Sequence, residues 1–220
     1  IASAIYNQSL HTLNNRKSFG LILSMDLRGY TQFLHNNSRD LTSAFMKEYH
    51  FLVSTSIGKF NGFLHKTAGD SHLVSFGLMD ESPSLSDIPE LRFELARADA
   101  NKAKIFVDKA IQMFNELIEK YEQLKTKYDI SDDLRIGAAL AAGTMEIQIQ
   151  GNQNYRQEVN IDGEPIVRCS RLEAYTKLLM SLVAPDASML ILSPEIIEKL
   201  KCEVQSEVWD IEDKEFSVRD

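Results

Sequence analysis

The sequence predicts an α+β domain: a ferredoxin-like β-α-β-β-α-β core with additional C-terminal β/α elements. Three observations carry that prediction. A nearly continuous apolar run over residues 19–26 reads as a central strand covered on both faces. Two long helical segments follow, 39–60 with apolar residues at helical spacing and 91–128 rich in Ala, Leu, Lys and Glu without Pro or Gly. Between them lies a hairpin pattern, with strands near 62–67 and 71–77 and a turn at Ala68-Gly69.

Taken in order, residues 1–18 are polar and weakly patterned, and read as a linker or short helix ahead of a single domain at 19–220. In the first long helix Leu41, Phe45, Tyr49, Leu52, Val53, Ile57 and Phe60 fall on one side, and Asn61-Gly62 stops it. Ser, Pro and Asp crowd residues 78–90, which read as a loop. Beyond the second helix, Leu134–Leu140 reads as a strand, Ala142-Gly143 as a turn, and Met145–Gln150 as the partner strand. Gly151–Arg156 reads as a polar loop. Pro165 suits the first turn of a helix over 165–179. Met189–Leu192 is a short strand, Ser193-Pro194-Glu195 opens a helix, and residues 203–211 form a last strand.

Composition narrows the function. The chain has 220 residues, 44% hydrophobic and 25% charged, as in ordinary globular proteins. A net charge of −8 opposes a nucleic-acid partner. It leaves a nucleotide substrate open, because a bound cation masks local charge. No apolar run approaches the ~20 residues that cross a bilayer, and no signal peptide opens the chain. Cys169 and Cys202 read as free buried thiols of a reducing compartment, which places the domain in the cytoplasm. The chain opens on Ile1, so it is expected to be part of a longer signalling protein. The five histidines show no metal-ligand spacing.

Two acids stand out. Asp26 ends the first apolar run before a Gly-containing turn, and Asp70 sits at the hairpin turn. In a split β-α-β-β-α-β unit the first strand and the hairpin share one sheet, so the two carboxylates are expected to converge. Hard divalent cations take oxygen ligands of this kind, and a polyphosphate is the substrate such cations serve.

The residues around these acids resemble the class III nucleotidyl cyclase catalytic domain. Met25-Asp26-Leu27-Arg28-Gly29-Tyr30-Thr31 is similar to that family's Asp-Ile-Arg-Gly-Phe-Thr segment, and Lys66-Thr67-Ala68-Gly69-Asp70 to its Lys-Phe-x-Gly-Asp hairpin. Arg135-Ile136-Gly137 with Ala142-Gly143 resembles its Arg-Ile-Gly strand and following Gly. Residues 160–173, Asn160-Ile161-Asp162-Gly163-Glu164-Pro165-Ile166-Val167-Arg168-Cys169-Ser170-Arg171-Leu172-Glu173, resemble its Gly-Asp-x-Val-Asn-x-Ala-Ser-Arg-Leu-Glu segment. The likeness runs from about residue 19 to the end, with the motifs in the family's order.

The resemblance implies a reaction and a site. An adenylate cyclase would convert ATP to 3′,5′-cyclic AMP and pyrophosphate with two Mg2+ or Mn2+ ions. The ions are expected on Asp26, Asp70 and the backbone of Leu27. The turn formed by Leu27, Arg28, Gly29, Tyr30 and Thr31 would meet the phosphates, as would Arg135. Lys66 and Asn160 would read the base; Lys only donates hydrogen bonds, which suits the N1 acceptor of adenine and not the protonated N1 of guanine. Arg171 would stabilise charge in the transition state. Val167 stands where the family has a ribose-orienting Asn, and Lys214 is the candidate for a last phosphate-binding Lys. The family's arrangement is a homodimer with two composite sites, read here as Asp26 and Lys66 of one subunit facing Asn160 and Arg171 of the other. An upstream regulatory domain would set the subunit geometry. Two alternatives stay open: a guanylate cyclase using GTP, and a weakened cyclase-like module that binds nucleotide or dimerises without turnover.

Overall fold

The computed structural model describes residues 14–78, 92–130, 133–152, 156–184 and 186–200. Strand β1 spans Arg16–Arg28, followed by helices α1 (Tyr30–Asn36) and α2 (Arg39–Lys59). The hairpin β2 (Gly62–Ala68) and β3 (Ser71–Phe76) precedes the long helix α3 (Arg92–Lys127). Then come β4 (Arg135–Asn152), β5 (Arg156–Asp162), α4 (Glu164–Val183), β6 (Met189–Leu192) and α5 (Pro194–Leu200). Gly29, in the left-handed conformation, turns the chain from β1 into α1, and Ser38 caps α2 by accepting from the Leu41 N–H at 3.3 Å.

One sheet of order β2-β3-β1-β4-β5 organises the molecule, with β6 parallel to β4 on the β5 side. β1 lies antiparallel between β3 and β4, the strand order of the ferredoxin-like split unit. Alternation along β1 divides two cores. Leu21, Leu23, Met25 and Leu27 face α2 and α3, packing with Phe45, Tyr49, Val53, Met113, Leu117 and Tyr121. Ile22 faces α4, packing with Ala139, Ala141, Met145, Ile147 and Cys169. Each Leu, Ile, Val, Phe or Met among them, fully withdrawn from water, contributes roughly 1.5–3 kcal/mol. The sheet is thus covered on both sides, as the apolar run at 19–26 requires.

The strand pairings correct two expectations. Ala142-Gly143 is not a turn: β4 runs unbroken for 18 residues, because β1 pairs with it from Arg135 to Ile147, with Gly20 opposite Gly143. Gly143 is there for a close approach instead, since a Cβ would lie 2.6 Å from Pro165 Cγ at the start of α4. Gly151–Arg156 is not a loop throughout: Gly151 and Asn152 belong to β4, and Arg156 opens β5. The partner of β4 is therefore 156–162 and not its own second half. β1 also begins three residues before the expected strand, at Arg16. Most of the linker at 1–18, the loop at 78–90 beyond Leu78, the last strand at 203–211, Cys202 and Lys214 lie outside the described residues. Among the described residues no helix is long and apolar enough to cross a membrane.

Candidate active site

Asp26 leaves β1 on the α4 side of the sheet, because it alternates with Met25 and Leu27 of the other core. Asp70 sits in the turn between β2 and β3. Since β3 pairs with β1, the turn returns to the end of β1, with Met25 opposite His72. The two carboxyl groups meet within hydrogen-bonding reach. Asp26 Oδ1 accepts from Ser71 Oγ at 2.8 Å, and Asp26 Oδ2 accepts from Arg28 Nη1 at 3.1 Å. Burial raises the Asp70 carboxyl to about 6, helped by its hydrogen bond to Asp26 and by the Asp26 charge. Backbone N–H groups of Asp70 and Leu27 oppose that rise.

These groups fit a hard divalent cation. A cation between two close carboxyls offsets their mutual repulsion, since it interacts with both at once. Among the described residues no cluster of three or more His, Cys, Asp or Glu side chains is assembled around a metal position. A pair of carboxylates nevertheless suits Mg2+, which binds through one or two of them together with water and substrate phosphates.

The same end of the sheet gathers Leu27, Arg28, Gly29, Tyr30 and Arg135. Arg28 pairs across the sheet with Arg135. Burial lowers the Arg28 guanidinium, against the opposing charges of Asp26 and then Asp70. Burial, and then the Asp70 charge, raise the Tyr30 phenol. Arg135 Nε donates to the Asp133 carbonyl at 3.2 Å, while its Nη1 is buried without a hydrogen-bond partner among the described residues. Thr31 is exposed in the first turn of α1.

Lys66 is exposed on the edge strand β2, opposite Leu73. Leu73 in turn lies opposite Ser24 of β1, so Lys66 belongs to the α4 side of the sheet, as Asp26 does. Asn160 lies in β5 opposite Gln148. The curl of the sheet brings these two strands together: His65 Nδ1 donates to the Val159 carbonyl at 3.3 Å. Lys66 and Asn160 are thus each next to one partner of a β2–β5 contact within one chain, with Asn160 leaving β5 on the face opposite to Val159. The pairing was illegible in sequence because it depends on the curl of β4 and β5.

Arg171 and Val167 occupy α4. That helix buries Pro165, Cys169, Thr176 and Met180 against the sheet. Both Val167, 51% exposed, and Arg171 project from the opposite side. Neither reaches the carboxylates of its own chain.

No protein-family model and no curated protein matches the sequence. Solved structures do. The adenylyl cyclase CyaB from P. aeruginosa aligns with 84% of this chain and 82% of its own, at 20% identity and a TM-score of 0.63. The guanylyl cyclase Cya2 aligns with 74% of this chain and 72% of its own, at 18% identity and a TM-score of 0.57. The guanylate cyclase domain of RhGC from Catenaria anguillulae in complex with GTP aligns with 72% and 74%, at 16% identity and a TM-score of 0.53. The chain has the nucleotidyl cyclase fold. Within that fold, Asp26 and Asp70 share one end of the sheet, and Arg171 sits on the outward side of the helix packed against it.

Three contributors carried no role in the sequence reading. Ser71 holds Asp26 from the hairpin; Glu173 and Thr176 of α4 hold Arg28. Their sequence signals were the place of Glu173 at the end of the resembling segment 160–173 and the spacing of Glu173 and Thr176, three apart near the buried side of α4. His50 Nδ1 and His72 Nε2 lie 3.0 Å apart, a contact between α2 and β3 that residue spacing does not display.

Proposed function

We propose that the chain is an adenylate cyclase that acts as a homodimer, each site combining residues of two chains. The observation that carries this reading is the outward projection of Arg171 from α4 in a fold whose two carboxylates meet at a sheet end. A single chain separates these groups; a second copy related by a two-fold axis can bring them together. The His65–Val159 contact supports a specific division: Lys66, Asn160 and Arg171 from one chain, Asp26, Asp70 and Arg135 from the other.

In the reaction the ribose 3′-oxygen attacks the α-phosphorus, loses its proton, and the bond from that phosphorus to the β-phosphate oxygen breaks, releasing pyrophosphate. Mg2+ or Mn2+, held by Asp26 and Asp70 with the Leu27 backbone, would lower the hydroxyl pKa and offset the charge of the leaving group. Arg135 has a buried N–H, without a partner among the described residues, to offer a phosphate oxygen. The turn from Leu27 to Thr31 lies beside the carboxylates, where the triphosphate would lie. Arg171 would meet negative charge developing at the α-phosphate. Lys66 would donate to adenine N1, with Asn160 as the second base contact, since an amide both donates and accepts.

Exposed Val167 favours a second reading, a weakened cyclase-like module, because it offers the ribose no hydrogen bond. Incubation with each nucleoside triphosphate and Mn2+, followed by chromatography, decides between them. Cyclic AMP from ATP is the expected product; cyclic GMP alone would make it a guanylate cyclase, and no cyclic product would leave the module.

A further inference from the structure

Arg28 is built into the molecule more deeply than a phosphate-facing turn requires. Its guanidinium reaches from β1 into α4. Nη1 donates to Asp26 Oδ2 at 3.1 Å. Nη2 donates to the Glu173 carboxylate and, at 2.7 Å, to the Glu173 carbonyl. Nε at 3.1 Å and Nη2 at 2.9 Å both reach Thr176 Oγ1, which itself donates to the Glu173 carbonyl at 2.6 Å. Gly137 of β4 clears the passage: a Cβ there would lie 2.7 Å from Arg28 Nε and 2.3 Å from Thr176 Oγ1. The Arg28 and Glu173 side chains are each 16% exposed.

This arrangement raises an electrostatic difficulty. A guanidinium beside a cation-binding carboxylate competes for its lone pairs and repels the incoming ion, and low exposure strengthens both effects. Glu173 removes the difficulty by neutralising Arg28 from the far side. Arg28 then acts as a directional fork rather than as a rival cation. We propose that Glu173 is a positioning residue that compensates Arg28, so that Arg28 fixes the Asp26 carboxylate without displacing a divalent cation. The inference rests on reading Asp26 as a cation ligand. It also gives α4 two tasks, since the helix that turns Arg171 outward steadies its own chain's Asp26 from the side facing the sheet.

The test is Mn2+ binding to the full chain without nucleotide, read as loss of the free Mn2+ signal in electron paramagnetic resonance, with thermal melts to verify folding. Wild type should bind and Asp26→Asn should not; equal binding by both would overturn the cation-ligand reading and this inference with it. Glu173→Gln should weaken Mn2+ binding at least about fivefold, because Arg28 is left uncompensated. Arg28→Met/Glu173→Gln should return to within about twofold of wild type, because the rival charge is gone. If Asp26→Asn loses the ion while Glu173→Gln binds as wild type does, or if the double variant is as weak as Glu173→Gln, the compensation role is wrong and the cation site stands. Should Glu173→Gln fail to fold, Arg28→Met decides: it should bind Mn2+ at least as tightly as wild type, with kcat down about tenfold from the loose carboxylate. Weaker binding by Arg28→Met would overturn the proposal.

Discussion

His65 Nδ1 donates a hydrogen bond to the Val159 carbonyl, while His65 Nε2 lies 2.8 Å from Ser75 Oγ. The ring therefore ties the edge strand β2 to β5 and to β3.

Burial lowers the His65 imidazole to about 4, although the Val159 carbonyl favours the charged ring. The unfolded ring has an ordinary pKa near 6.5. Between these values the unfolded chain binds a proton that the folded chain refuses. Stability is therefore full above about pH 6.5 and falls as the pH drops towards 4, by up to about 3 kcal/mol from this residue. Chemical denaturation of wild type and His65→Gln at pH 7, 5.5 and 4.5 checks it. The variant should show the shallower decline, and parallel declines would contradict the assignment.

Mixing variants tests which residues share a site. Asp26→Ala and Arg171→Ala chains should each be inactive, and an equimolar mixture should recover about a quarter of wild-type activity, since half the dimers carry one whole site. Lys66→Ala mixed with Arg171→Ala should recover nothing, because both residues come from the same chain in each site. Rescue in that second mixture would restore the division that set Lys66 against a partner's Asn160.

Asp70→Ala removes a half-buried turn carboxyl and no part of either core, so its melting temperature should stay within a few degrees of wild type. Its cyclase activity should fall at least about 10²-fold, as expected when a transition-state charge partner is lost. Product chromatography and a melt on one sample measure both, and full activity would remove Asp70 from the site.

Val167→Asn restores a hydrogen-bonding side chain at an exposed position of α4. If the missing ribose contact limits turnover, kcat should rise about tenfold or more with little change in KM. Unchanged kcat, measured with saturating Mn2+, would mean that another group already orients the ribose.

The local code was strong wherever side-chain patterning speaks for itself. The apolar run that became β1, the spacing of Phe45, Tyr49, Val53 and Ile57, the stop at Asn61-Gly62 and the hairpin all follow from periodicity and turn chemistry. The convergence of Asp26 and Asp70 followed as well, since strand order alone joins a strand end to a hairpin turn. Gly143 misled because a glycine needed for close approach by Pro165 looks the same as one needed for a turn.

Residue types and spacing, then, determined strands β1, β2, β3 and β6, helices α2 to α5 and the pair of acids. Only the tertiary structure decided how far β4 continues, which residues stand on one side of a chain, and what holds each carboxylate. The physical reason is range: periodicity reports which side of an element is buried. The approach of His65 to Val159, or of Glu173 to Arg28, depends on sheet curl and helix docking summed over the whole chain.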